Sequence, residues 1–115
     1  MEKRRHYAHF RLAGFSYWEG AAVFDELKVG TPLTLRREAD NAFDPYAVAV
    51  YYGEHKLGFV PRGENHELSK FLEMGHGAWF EARINRVSPT EEPEQQIGVV
   101  VHLLGAEEVT EVEKA

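Results

Sequence analysis

The sequence predicts a mainly β domain: a small closed or partly closed β-barrel of about six strands with one short α-helix. Three observations point there. Short stretches along the chain alternate apolar and polar residues with the period of two that buries one face of a strand. One stretch alone carries apolar residues at helical spacing. And 115 residues, 43% hydrophobic and 28% charged, suffice for one modest core and leave little room for a second.

Taken in order, Phe10, Arg11, Leu12 and Ala13 read as a strand running through Gly14 and Phe15 into an aromatic loop, Ser16-Tyr17-Trp18-Glu19-Gly20. Over residues 21–28, Val23, Phe24 and Leu27 permit a short helical turn or an irregular link before Gly30. Leu33 and Leu35 then alternate with Thr34, Arg36 and Glu38, as in a half-buried strand. Residues 40–45, Asp-Asn-Ala-Phe-Asp-Pro, are dense in turn formers, and Pro45 steers Asp44 away from helical angles. An ordered loop is expected. Residues 47–52 and 57–60 read as a hairpin with a four-residue connection, Gly53-Glu54-His55-Lys56, and Pro61 ends its second strand. Leu68, Phe71 and Leu72 sit at i, i+3 and i+4, with Asn65 placed to cap the start of a helix and Gly75 to take the left-handed position after it. Phe80, Ala82 and Ile84 alternate with Glu81, Arg83 and Asn85, and Ile97, Val99, Val101 and Leu103 alternate with Gly98, Val100, His102 and Leu104. The polar segment 88–95 joins these last two strands. Residues 1–106 form the barrel domain, and residues 107–115 an acidic tail that lacks a sustained apolar face and is expected to be solvated and dispensable for folding.

Composition removes several classes of function. The chain has no cysteine, so disulfides, thiolate nucleophiles and Cys-built zinc sites are excluded. Its longest mostly apolar run, residues 97–106, is interrupted by His102 and falls far short of the roughly 20 residues a membrane-spanning helix needs. The basic start, Met1 to His6, is not followed by the apolar core of a signal peptide. No membrane partner and a cytoplasmic location are expected. Gly14-Phe15-Ser16-Tyr17-Trp18 lacks the second glycine of a nucleophile elbow, and no Gly-Lys-Ser/Thr phosphate loop occurs. His6 and His9, three apart in an extended strand, are expected on opposite faces, which argues against a shared metal. Glu38, Asp40 and Asp44 fit a Mg²⁺ site for phosphoester cleavage, and fit equally well two aspartates bonding the backbone of their own turn. The expectation is no cofactor, no metal and no catalysis, with a metal-dependent nuclease as the third reading.

The net charge of −6 is unevenly spread: residues 1–90 carry twelve Lys and Arg against twelve Asp and Glu, while residues 91–115 carry Lys114 against seven Glu. A neutral body does not attract polyanions in bulk, so any nucleic-acid site has to be local. Phe15, Tyr17, Trp18, Phe43, Tyr46, Tyr51, Tyr52 and Phe59 all lie in the first half. An aromatic ring at a barrel mouth stacks a nucleobase for about 1–3 kcal/mol, and Arg36, Arg37 and Arg62, in or beside the same segments, can clamp phosphate. Alternation sends some of these aromatics into the core, and Trp18 can plug a barrel end. From the residues alone, a single-stranded nucleic-acid interface and a groove for a peptide or partner domain fit equally.

Three runs then carry a resemblance. Gly14-Phe15-x-Tyr17-Trp18-x-Gly20, the stretch from Gly30 through Arg37-Glu38-x-x-Asn41-x-Phe43-Asp44-x-x-Ala47-Val48, and Leu57-Gly58-Phe59-Val60-Pro61-Arg62, followed by the helix, resemble the HIRAN domain over residues 8–104. The resemblance implies a modified OB-like barrel that binds single-stranded DNA at a free 3′ end, working beside a DNA-processing partner in settings such as DNA repair. Carried over by position, Tyr17 and Phe43 are the stacking pair, Asp44 accepts the terminal hydroxyl and Arg62 meets phosphate. Trp18, Arg36, Asn41 and Phe59 complete the candidate site. Ser16 stands where characterised DNA-end binders carry arginine; its hydroxyl can donate one hydrogen bond but lacks the fork and the charge, a difference of about 1–2 kcal/mol.

Overall fold

The computed structural model describes residues 3–114, with side chains as far as Thr110. Six antiparallel strands, β1 (Arg4–Arg11), β2 (Pro32–Arg37), β3 (Val48–Tyr52), β4 (His55–Phe59), β5 (Phe80–Val87) and β6 (Ile97–Leu104), form one sheet in the order β1-β6-β5-β2-β3-β4. The class is mainly β, as the alternation predicts. The two ends of the sheet meet just beyond β1. There Ala13 and Phe59 each donate an N–H to the other's carbonyl at 2.9 Å. A single bridge in place of a full ladder makes the barrel partly closed. The approach demands glycine next door, because a Cβ on Gly58 would lie 2.5 Å from the Ala13 carbonyl oxygen. Inside, Leu12, Val50, Leu57, Ile84, Ile97 and Val99 are at most 1% exposed, each worth about 1.5–3 kcal/mol on burial.

Strand β1 starts well before the expected Phe10, and the reason is a bulge. Its pairing with β6 slips between His6, opposite His102, and Ala8, opposite Val101, so the period of two breaks at Tyr7 and the alternation is hidden. The same bulge overturns the expectation that His6 and His9 face opposite ways: His6 Nε2 and His9 Nδ1 lie 2.9 Å apart. The hairpin is tighter than expected. Tyr52 pairs with His55 across Gly53-Glu54, and a register slip after Val50 absorbs the difference. His55 and Lys56 therefore belong to β4.

Among the described residues, helix appears as α1 (Gly20–Val23), α2 (His66–Glu73), α3 (Pro93–Gln96) and α4 (Ala106–Lys114). The expected helix is α2, with Leu68 buried and Gly75 at φ 85° beyond its end. Asn65 precedes it but gives no side-chain cap; its buried amide instead donates to Asp44 Oδ2 at 2.8 Å. Single turns such as α1 and α3 carry no periodicity to read. The tail, expected to be solvated, carries helix α4. Glu107 and Glu108 fall in its first turn, where the helix dipole favours acidic groups, and Val109 is half-buried. None of these helices is long and apolar enough to cross a membrane.

Candidate nucleic-acid interface

Two loops flank one open cleft of about 700 Å³. The first, residues 14–20, continues from the Ala13 bridge into a 3₁₀ turn, Phe15–Tyr17, closed by the Tyr17 N–H on the Gly14 carbonyl at 3.0 Å. Phe15 is buried beneath it because Gly20 has no side chain: a Cβ there would lie 2.2 Å from the Phe15 ring. Tyr17 is left 82% exposed. A distant residue holds this loop, for the Glu94 carboxylate on α3 accepts the Gly14 N–H at 2.7 Å and the Ser16 hydroxyl at 2.9 Å.

The second loop, residues 38–47, is held by its own side chains. Asn41 Oδ1 accepts the N–H groups of Phe43 and Asp44 at 2.9 and 3.0 Å, and Asn41 Nδ2 donates to Glu38 Oε1 at 3.1 Å. Asp44 Oδ1 accepts the Tyr46 N–H at 2.9 Å. These are the local bonds that Asn and Asp supply in turns. The backbone they fix carries Phe43 outward, 84% exposed.

Between the loops the walls are aromatic and the charges are paired. Trp18 and Phe59 meet edge to face at 5.9 Å, and the Lys56 ammonium lies 3.8 Å from the Trp18 ring centre and 4.4 Å from that of Phe59. Lys56 Nζ is also 2.6 Å from Glu38 Oε2. Arg62 Nη2 donates to the Phe43 carbonyl at 2.7 Å, while its Nε is 3.7 Å from Asp44 Oδ2. The Tyr46 N–H, the Asn65 amide and the nearby Arg62 and His66 charges hold the Asp44 carboxyl below the usual carboxylate range, against the opposing effect of burial. Asp44 is ionised at neutral pH, and it ties the loop to the start of α2 as well as lining the cleft.

The structure thus brings Tyr17, Trp18, Asn41, Phe43, Asp44, Phe59 and Arg62 to one cleft. Two candidates lie elsewhere. Ser16 faces Glu94, because successive side chains of a 3₁₀ turn point about 120° apart and Tyr17 takes the cleft side. Arg36 lies over the Tyr51 ring at 4.2 Å on the β2–β3 surface, and its neighbour Arg37 is committed to Ser69 and Glu73 on α2. Glu38, Asp40 and Asp44 do not converge, and among the described residues no group of three or more acidic or histidine side chains could hold a metal. Sequence reasoning missed Lys56 and Glu94, and weighed Glu38 only as a metal ligand, not as the partner of Lys56. The signal for Lys56 was the length of the hairpin turn, since a two-residue turn moves it from the loop into β4.

This arrangement coincides with a family match: the model of the HIRAN domain matches residues 7–103. The chain belongs to the HIRAN domain family. HIRAN domains are in general DNA-binding modules. Two solved structures share the fold. A Lactobacillus plantarum protein superposes with a TM-score of 0.72 at 21% identity, over 88% of this chain and 95% of that one. The HIRAN domain of human HLTF superposes with a TM-score of 0.60 at 12% identity, over 97% of this chain and 88% of that one. No curated protein sequence matches the chain. Together the family match and the two superpositions make the partly closed, OB-like barrel a HIRAN fold.

Proposed function

We propose that this HIRAN domain binds the 3′ end of single-stranded DNA in the cleft and catalyses no reaction. What supports the reading is the pair of aromatic tips. Tyr17 and Phe43 stand 82% and 84% exposed on facing loops of an aromatic-lined cleft, where each forfeits burial that a stacked base returns at about 1–3 kcal/mol. Asp44, ionised and part-buried, has lone pairs left to accept a hydrogen bond from a terminal hydroxyl, whereas a terminal phosphate would set negative charge against it. Arg62, 72% exposed beside Phe43, keeps N–H groups to offer the backbone beyond those it gives to the Phe43 carbonyl and Asp44. Because Lys56 and Glu38 cancel each other, stacking outweighs bulk charge, and the salt dependence corresponds to one or two phosphates. Such a module suits DNA repair or related processing, presenting a strand end to a partner protein.

Fluorescence anisotropy with labelled oligonucleotides ending in a 3′ hydroxyl, a 3′ phosphate or a blunt duplex, each with and without Mg²⁺, tests this. The hydroxyl-ended single strand should bind about tenfold more tightly than the other two, a difference of about 1.4 kcal/mol. Equal affinity for both single-strand termini overturns end recognition. Cleavage in the Mg²⁺ lanes overturns the non-catalytic reading, and no binding at all returns the cleft to a peptide or partner domain.

A further inference from the structure

Lys56 is the cation in this cleft that sequence reasoning passed over, and its setting is unusual. Its side chain is 12% exposed, yet it lines the cleft. One N–H direction is taken by Glu38 Oε2 at 2.6 Å, and the ring faces of Trp18 and Phe59 hold the ammonium in place from two sides. An ammonium has three N–H bonds and no acceptor, and aromatic faces attract it without supplying a lone pair. Glu38 is itself fixed, because Asn41 Nδ2 donates to its other oxygen at 3.1 Å. The cleft therefore presents a positioned donor, deep between aromatic walls, that no partner among the described residues fully satisfies.

A base held by Tyr17 and Phe43, which line the same cleft as Lys56, can turn its major-groove edge to that donor. Guanine and thymine carry a keto oxygen there, which accepts; adenine and cytosine carry an amino group, which is a donor and meets the ammonium unfavourably. We infer that Lys56 makes the cleft selective for a base with a keto oxygen on its major-groove edge, guanine or thymine, at the bound end of the strand. The inference rests on the DNA-end reading above and adds to it a choice among bases that the aromatic walls by themselves do not make, since every base has a π-face.

Four single-stranded oligonucleotides, identical except for the 3′-terminal base, are titrated against the wild-type protein and against Lys56→Met, which keeps the length of the side chain and removes the charge. Strands ending in thymine or guanine should bind wild type about tenfold more tightly than those ending in cytosine or adenine, as expected for one charge-assisted hydrogen bond. In Lys56→Met all four should bind alike, with stacking on Tyr17 and Phe43 retained. Four equal affinities in the wild type overturn the selectivity and leave end binding standing. A keto preference that survives in Lys56→Met, folded by circular dichroism, assigns it to another group and overturns the role of Lys56. Absence of binding to all four strands overturns both readings. Since the first comparison uses the unaltered chain, a variant that fails to fold does not remove the test.

Discussion

The two loops that flank the cleft display the same kind of side chain to nearly the same degree, Tyr17 at 82% and Phe43 at 84% exposure, but they are held in opposite ways. The Phe43 loop is braced mainly from within: Asn41 and Asp44 bond backbone groups two or three residues away, and Arg62 and Asn65 add a tie from outside. The Tyr17 loop is braced from without, by a carboxylate 78–80 residues downstream. A loop of the first kind takes its shape from its own turn chemistry. A loop of the second kind is ordered only when β6 and α3 are in place, so its order depends on global folding and is the easier to loosen. The cleft joins a local device to a non-local one, and each can be broken separately.

The largest effect should come from Asn41→Ala, which removes two acceptor bonds and one donor bond at once. We expect about 2–3 kcal/mol of lost stability at roughly 1 kcal/mol per bond, read as a lower chemical-denaturation midpoint, together with loss of DNA binding. A midpoint unchanged from wild type would mean that the second loop does not brace itself. Asp44→Asn should cost less, about 1–2 kcal/mol at neutral pH, because its amide sets N–H groups against a donor that the carboxylate accepts. Its pH dependence has a definite sign. The Asp44 pKa is depressed in the folded chain, so its contribution is complete above the ordinary aspartate value of about 3.9 and is lost as pH falls through the depressed one. The stability gap between wild type and Asp44→Asn should stay constant above about pH 5 and close in more acid solution; a gap that persists there would show the carboxylate charge to be irrelevant.

Glu94→Ala probes the other loop, with a smaller expected effect on stability, under about 1 kcal/mol for exposed bonds. Its mark should appear elsewhere: hydrogen exchange at the Gly14 amide should speed up while that at Phe43 does not change. DNA affinity should fall several-fold, and a Glu94→Ala, Tyr17→Ala double mutant should bind no worse than Tyr17→Ala alone, since Glu94 acts through the tyrosine. Additive losses would place Glu94 in some other role. Smallest is Arg62→Met, which should lower the slope of log affinity against log salt by about one phosphate, take one exposed bond from the Phe43 carbonyl and leave the Tyr17 loop as it is.

How much of this could be read beforehand follows the same division. The second loop was legible, because Asn41, Asp44 and Pro45 announce a turn whose bonds span a few residues. Alternation announced β2, β5 and β6 and the core face of each, and the spacing of Leu68, Phe71 and Leu72 announced α2. Turn length and bulges were not legible. The slip at Tyr7 hid half of β1 and brought His6 and His9 together, and a two-residue turn moved Lys56 from the hairpin loop into β4.

By itself the sequence determined the fold class and the family motifs, since each depends on residues close together along the chain, and only the family resemblance singled out Tyr17 and Phe43 among its aromatics. Tertiary structure decided the partners. It took Ser16 to Glu94 and Arg36 to Tyr51, gave the Asn65 amide to Asp44 in place of a helix cap, and set Lys56 between Glu38 and two aromatic rings. A hydrogen bond or ion pair forms wherever folding brings two groups within about 3 Å, and for residues decades apart in the chain no local pattern specifies that distance.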